Sequence, residues 1–80
     1  MAHPSFSARW HKGTRYYELR VQQDLWGDWT ISRIWGQRGS RLGSMKIEPY
    51  DSLEQAMRRY EELSKQRARK GYEMVRQNGK

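Results

Sequence analysis

Apolar and polar residues alternate through most of the first fifty positions, and then the period changes. Phe6, Ala8 and Trp10 fall on one side of a stretch ending at His11, the pattern of a half-buried strand. Lys12-Gly13-Thr14 supplies a turn. Arg15 to Gln23 is the clearest strand, with Tyr17, Leu19 and Val21 on one face and Tyr16, Glu18, Arg20 and Gln22 on the other. Asp24-Leu25-Trp26-Gly27-Asp28 reads as a hairpin loop. Trp29 to Trp35 is the next strand, with Trp29, Ile31, Arg33 and Trp35 on one face and Thr30, Ser32 and Ile34 on the other. A glycine- and arginine-rich loop is predicted from Gly36 to Gly43. Ser44 to Pro49 then reads as a short strand with Met45 and Ile47 on one face, and Pro49, which lacks an N–H, marks its end.

From Asp51 to Lys70 the period is helical. Leu53, Ala56, Met57, Tyr60 and Leu63 make one apolar stripe. Asp51 is the expected N-cap, with Glu54 completing a capping box. Glu54 and Arg58, and Glu61 and Lys65, are ordered as favourable i,i+4 pairs. Gly71 fits the position just past the helix end. Tyr72 to Val75 reads as a short returning strand. The expected class is therefore α+β: a small antiparallel sheet of four to five strands with one long helix on one face. A single domain is expected over residues 6–75, with residues 1–5 loose and residues 76–80 a frayed tail.

Composition narrows the choice of function. Eighty residues fit one small domain with a thin core, and four tryptophans and five tyrosines supply much of its contact area. There is no cysteine, so neither a disulfide nor a thiolate zinc site holds the chain together. That fits a cytoplasmic protein. No apolar run approaches the roughly 20 residues that span a bilayer. The sheet needs the helix stripe for its core, so no membrane partner is expected. Met1 to Phe6 lacks the pattern of a signal peptide. The net charge of +7, with a pI of about 10.1, points to a polyanion, with plain solubility as the competing reading.

Chemistry is sparse. His3 and His11 are the only histidines, and neither pairs with an acid or nucleophile at a recognisable spacing. Metal ligation needs more closely paired ligands. No catalytic residue, metal, cofactor or small-molecule substrate is expected. Gly36, Gly39 and Gly43 match no phosphate-clamp motif, and Ile47-Glu48-Pro49 forbids the helix such a clamp requires.

What stands out is Trp35-Gly36-Gln37-Arg38-Gly39, followed by Arg41 and Lys46. A flat ring among glycines and guanidinium groups suits a sugar or base beside phosphates. Trp35 has two readings, a core residue or a ring projecting past the strand end. Arg33 on its face reads as a cation–π partner of a tryptophan or as an arginine shielding it. Arg38 and Arg41 read as phosphate contacts or as solvated loop charges. Lys65, Arg67, Arg69 and Lys70 complement the helix dipole, with a second phosphate face as the alternative.

These residues also carry a resemblance. Trp29-Thr30-Ile31-Ser32-Arg33-Ile34-Trp35-Gly36-Gln37-Arg38-Gly39 resembles the central signature of the WGR domain. Tyr16-Tyr17-Glu18-Leu19, Leu25-Trp26-Gly27-Asp28-Trp29, Asp51 to Ala56, Tyr60, Leu63, Lys65 and Gly71-Tyr72 extend the similarity over most of the chain. WGR domains accompany the catalytic domain of DNA-damage-dependent poly(ADP-ribose) polymerases, and they occur in proteins like the molybdate-metabolism regulators and as short bacterial chains. The resemblance implies an antiparallel sheet with a helix, and DNA binding near strand breaks, with DNA ahead of RNA. It implies nucleic-acid contact at Trp35, with Gly36 and Gly39 as the signature glycines and Arg15 where some members place a lysine near a terminal phosphate. Gln37 stands where the family usually carries arginine, which removes a fixed charge and a bidentate fork. With no catalytic domain in these residues, the resemblance implies the recognition part of the family alone. The competing expectation is a protein-interaction module using the same tryptophan and arginine surface.

Overall fold

The computed structural model describes residues 5–79. Five antiparallel strands form one sheet in the order β4-β3-β2-β1-β5. They are β1 (Phe6–Lys12), β2 (Arg15–Gln23), β3 (Trp29–Gln37), β4 (Gly43–Tyr50) and β5 (Glu73–Gly79). Helix α1 (Leu53–Arg69) carries the chain from one sheet edge to the other. Along β1 to β4, strands adjacent in sequence are also adjacent in space, each joined by a short turn.

The alternation seen in the sequence sets the layers. Ala8, Trp10, Tyr17, Leu19, Val21 and Ile31 face α1 and are buried with Ala56, Tyr60 and Leu63. Fully burying Leu19, Val21, Ile31 or Leu63 is worth roughly 1.5–3 kcal/mol each. The opposite sheet face has no helix on it. There Glu18 is only 3% exposed because Arg9, Arg20 and Arg76 close over its carboxylate, at 3.2, 2.6 and 3.1 Å. Burial pushes its pKa up, but the hydrogen bonds and charges of Arg20, Arg9 and Arg76 outweigh that and hold the carboxyl below its usual range. Met45 and Ile47 also lie on this side and are exposed.

Several boundaries differ from the sequence reading. β3 runs two residues further, so Gly36 and Gln37 are strand, because they pair with Tyr16 and Arg15. Pro49 does not end β4, which continues to Tyr50 as an edge strand and tolerates the missing N–H. Residues 76–79, expected as a tail, continue β5 and pair with Phe6 to Arg9. Backbone pairing and the Arg76–Glu18 ion pair hold them there, with no apolar alternation to announce it. Residues 1–4 of the expected loose N-terminus, and residue 80, lie outside the described residues.

The helix is capped by Ser52, not Asp51. The Ser52 hydroxyl accepts from the Gln55 N–H at 3.2 Å, and the Gln55 side chain accepts from the Asp51 N–H at 3.3 Å. The Glu54–Arg58 pair forms at 2.6 Å. At the far end Gly71 takes φ of 86°, Gly71 N–H donates to the Ala68 carbonyl, and Tyr72 N–H donates to that of Arg67. This is the Schellman pattern, and it turns Tyr72 back toward the sheet.

Candidate nucleic-acid interface

The site forms where β2 begins, β3 ends and α1 stops. Trp10, Tyr17 and Trp35 are directly opposite one another across β1, β2 and β3. Their rings make a tier on the helix side: Trp10 and Tyr17 are tilted with centroids 6.2 Å apart, and Tyr17 and Trp35 are stacked at 6.4 Å and 19°. Tyr72 meets Tyr17 edge-on at 6.5 Å. Both sequence readings of Trp35 are thus half right. One side of it closes the core through Tyr17, and 38% of the residue remains exposed.

Arg67 lies over this tier. Its guanidinium carbon is 4.1 Å from the Tyr17 ring centre and 5.2 Å from that of Tyr72. It is only 9% exposed, and its Nε has no hydrogen-bond partner among the described residues. Leaving that donor unpaired costs about 1–3 kcal/mol. A desolvated cation–π contact returns about 2 kcal/mol. The two nearly cancel, so the effect of Arg67 is to fix the rings beneath Trp35 more than to stabilise the fold.

Three segments are latched at this end. Lys12 Nζ donates to the Lys70 carbonyl at 2.5 Å, tying the β1–β2 turn to the helix end. Arg38 N–H donates to the Thr14 carbonyl at 2.6 Å, and its side chain donates to the Gly13 carbonyl at 3.2 Å. Ser40 N–H donates to the Gln37 carbonyl at 3.2 Å, and Gly39 takes φ of 82°, which closes the loop after β3. Gly36 and Gly43 have a different task. A Cβ on Gly43 would come within 2.9 Å of the Tyr16 hydroxyl, and one on Gly36 within 3.3 Å of the Tyr16 ring. They are small because Tyr16 packs over them on the open sheet face.

Three recesses border Trp35, and Tyr72 lines two of them. One of these two, of about 220 Å³, is lined by Arg15, Tyr16, Trp35, Gly36, Gln37 and Tyr72. The other, of about 160 Å³, is lined by Tyr17, Arg33, Trp35, Arg67 and Tyr72. No carboxylate lines either one. The structure therefore brings Trp35, Gly36, Gln37 and Arg15 together, with Arg38, Gly39 and Arg41 in the adjoining loop. Arg41 makes no hydrogen bond or ion pair among the described residues and is exposed. Lys46, on β4 in register with Arg33 of β3, is also exposed and lies farther from the strand end.

Arg33 has another role. Its Nε donates to the Tyr17 hydroxyl at 2.8 Å and its Nη1 meets Glu48 at 3.0 Å, so it braces the tier and stacks on neither tryptophan. Glu48 also accepts from the Tyr50 hydroxyl at 2.7 Å, and burial and then Glu48 push that phenol up to about 12. Across the sheet, His11 Nε2 accepts from Arg9 Nε at 3.0 Å. Burial, then the positive charges of Arg38 and Arg9, lower the imidazole pKa, which keeps it neutral and able to accept.

Tyr17, Arg67, Tyr72 and Lys12 were absent from the sequence reading of the site. Arg67 carried a signal, since it continues the Ala56, Tyr60, Leu63 stripe by one turn. No cluster of ligating side chains that would hold a metal occurs among the described residues. No helix among them is long and apolar enough to cross a membrane.

The family model for the WGR domain matches residues 5–79, including the whole of this site. The chain belongs to the WGR family. It is similar to the "Uncharacterized protein y4dW" of Sinorhizobium fredii (strain NBRC 101917 / NGR234), at 33% identity over 58 residues. That match covers 72% of this chain and 28% of the relative, so the WGR chain spans less than a third of that protein's length. No solved structure matches the chain.

Proposed function

We propose that this WGR domain binds nucleic acid, DNA before RNA, at the Trp35 end of the sheet, and that it favours exposed ends or nicks. The observation that carries the reading is Trp35 itself. Its ring is fixed on one side by Tyr17, open on the other, and bordered by recesses without a carboxylate. A fixed aromatic face stacks on an unpaired base or a terminal sugar at low entropic cost, and stacking of this kind is worth about 1–3 kcal/mol per base. An intact duplex hides its base faces, so an end or a nick offers the better partner.

Arg15, Arg38 and Arg41 supply the phosphate contacts, with Lys46 at the margin. Arg33 and Arg67 position the rings. Gln37 contributes an amide at the strand end, so the domain holds phosphates less tightly than a relative with arginine there. The net charge of +7 favours a polyanion throughout.

The test is a titration against blunt, nicked, single-stranded and circular DNA at two salt concentrations. Arg38→Ala together with Arg41→Ala is expected to lower the slope of log K against log salt by about 2. Binding that is indifferent to salt, or absent at low salt, would overturn the reading in favour of a protein partner at the same surface.

A further inference from the structure

On the open face of the sheet, away from the Trp35 ring, one carboxylate serves three cations. Glu18 of β2 is in register with Arg9 of β1, and Arg9 with Arg76 of β5. Arg20 is two residues further along β2 and so shares the face. The three guanidinium groups meet the two Glu18 oxygens, Arg9 and Arg76 on Oε1 and Arg20 on Oε2. The Glu18 side chain lies beneath them, almost fully buried, while those of Arg20 and Arg76 are about half exposed.

Three arginines on one carboxylate leave a surplus of two positive charges. Glu73, the other carboxylate on this face among the described strand residues, is in register with His11 and joins none of these ion pairs. Guanidinium groups drawn to one point also repel one another. An anion seated over the carboxylate relieves that repulsion.

The donors for such an anion are in place. An arginine has five N–H groups. Arg20 uses Nε and Arg76 uses Nη2 on Glu18, and neither side chain makes another hydrogen bond among the described residues. Arg9 gives Nε to His11 and Nη1 to Glu18, and its guanidinium lies 4.4 Å from the Tyr16 ring centre, which leaves Nη2 for an outside acceptor. Three forks held from below by one buried carboxylate are ordered before a ligand arrives, which removes part of the entropic cost of binding.

The surplus selects the anion. A phosphate monoester carries a charge of about −1.5 to −2 at pH 7 and three strong acceptor oxygens, one for each fork. A carboxylate brings a single charge and two oxygens, and Glu18 already fills that place. A phosphodiester in a nucleic-acid backbone brings a single charge as well.

We propose that Arg9, Arg20 and Arg76 form an anion site on the open sheet face that takes a doubly charged phosphate, free or as a monoester. The site is separate from the Trp35 end and does not depend on what that end binds.

The test is a titration of the whole chain with methyl phosphate, inorganic phosphate and dimethyl phosphate at constant ionic strength and about pH 8, where the second phosphate proton is lost. Arginine Nε–H and backbone amide NMR shifts give the readout. Methyl phosphate should give a saturable shift centred on Arg9, Arg20 and Arg76, and should bind at least about fivefold more tightly than dimethyl phosphate. Arg20→Gln and Arg76→Gln should each weaken it about fivefold. Either variant leaves Glu18 two guanidinium partners, so the thermal melt should stay close to that of the parent. Arg20→Lys keeps the charge without the fork and should weaken binding less than Arg20→Gln. Arg58→Gln removes the same charge from the exposed helix face and should leave the shift unchanged. Tighter binding of methyl phosphate than of inorganic phosphate identifies a monoester as the ligand, and the reverse identifies free phosphate; either supports the site. No saturable shift, equal binding of dimethyl phosphate, or a response that survives Arg20→Gln and Arg76→Gln as fully as Arg58→Gln would each overturn the proposal.

Discussion

Trp35 stands near the end of β3 and Trp26 in the turn before its start, which puts more than about 20 Å of strand between them at about 3.3 Å per residue. Trp35 is stacked on Tyr17, braced through Arg33 and Arg67, and surrounded by cations. Trp26 is held up by a turn whose side-chain hydrogen bonds come from Asp24 and Gln23. The same residue type is half built into the core at one end and left outside it at the other. Its neighbours' charge then decides what each ring can meet. Recesses lined by arginines and no carboxylate invite phosphate, whereas two aspartates turn phosphate away. An exposed aromatic offers a face to a partner, and the titratable groups around it set which chemistry suits that face.

The largest test of this contrast is stability. Tyr17→Ala removes the ring between Trp10 and Trp35 and should cost about 3–4 kcal/mol in urea unfolding. Trp26→Ala should stay within about 0.5 kcal/mol of the parent. A comparable loss from Trp26→Ala would mean that the tip belongs to the fold after all.

Next in size is the effect of pH. His11 has a folded pKa below its unfolded value, so its contribution is present above about pH 6.5 and is lost as pH falls below it. Glu18 and Glu48 are also lowered, so theirs is present above about pH 4.5 and is lost as pH falls through their folded values. Unfolding free energy should therefore decline in two stages on acidification. His11→Gln should remove the upper stage alone, without changing the melt of a Trp26 variant relative to its parent. A single stage below pH 4.5 in the parent would contradict the assigned role of His11.

The smallest change sharpens the Trp35 end alone. Gln37→Arg adds one guanidinium beside Arg15, and the salt slope for duplex binding should steepen by about 0.9. An unchanged slope would place residue 37 outside the phosphate path.

Much of this contrast was legible in the sequence. Period-two alternation placed Ala8, Trp10, Tyr17, Leu19, Val21 and Ile31 on the helix side, and the helical stripe placed Ala56, Tyr60 and Leu63 against them. These signals are strong because burial on one face dictates them. Arg67 was hidden because a charged residue among Lys65, Arg69 and Lys70 reads as solvent-facing, and only the aromatic clasp of Tyr17 and Tyr72 makes its burial tolerable. The strand over Arg76 to Gly79 was hidden because backbone pairing at a sheet edge needs no apolar alternation. Gly36 and Gly43 were visible as glycines, but their reason, the Tyr16 ring above them, depends on a register that spacing alone does not give. Arg33 was correctly placed on the Trp35 face, yet its partners Tyr17 and Glu48 come from other strands.

The central claim is that the Trp35 end, and not the Trp26 end, receives nucleic acid. The most direct measurement is the affinity of the parent, Trp35→Ala and Trp26→Ala for the same duplex presented as a blunt linear fragment and as a closed circle. Trp35→Ala should lose about 1–3 kcal/mol on the blunt fragment and much less on the circle, while Trp26→Ala matches the parent on both. A folded Trp35→Ala protein that binds both forms as the parent does, or a loss that follows Trp26 instead, would contradict the account.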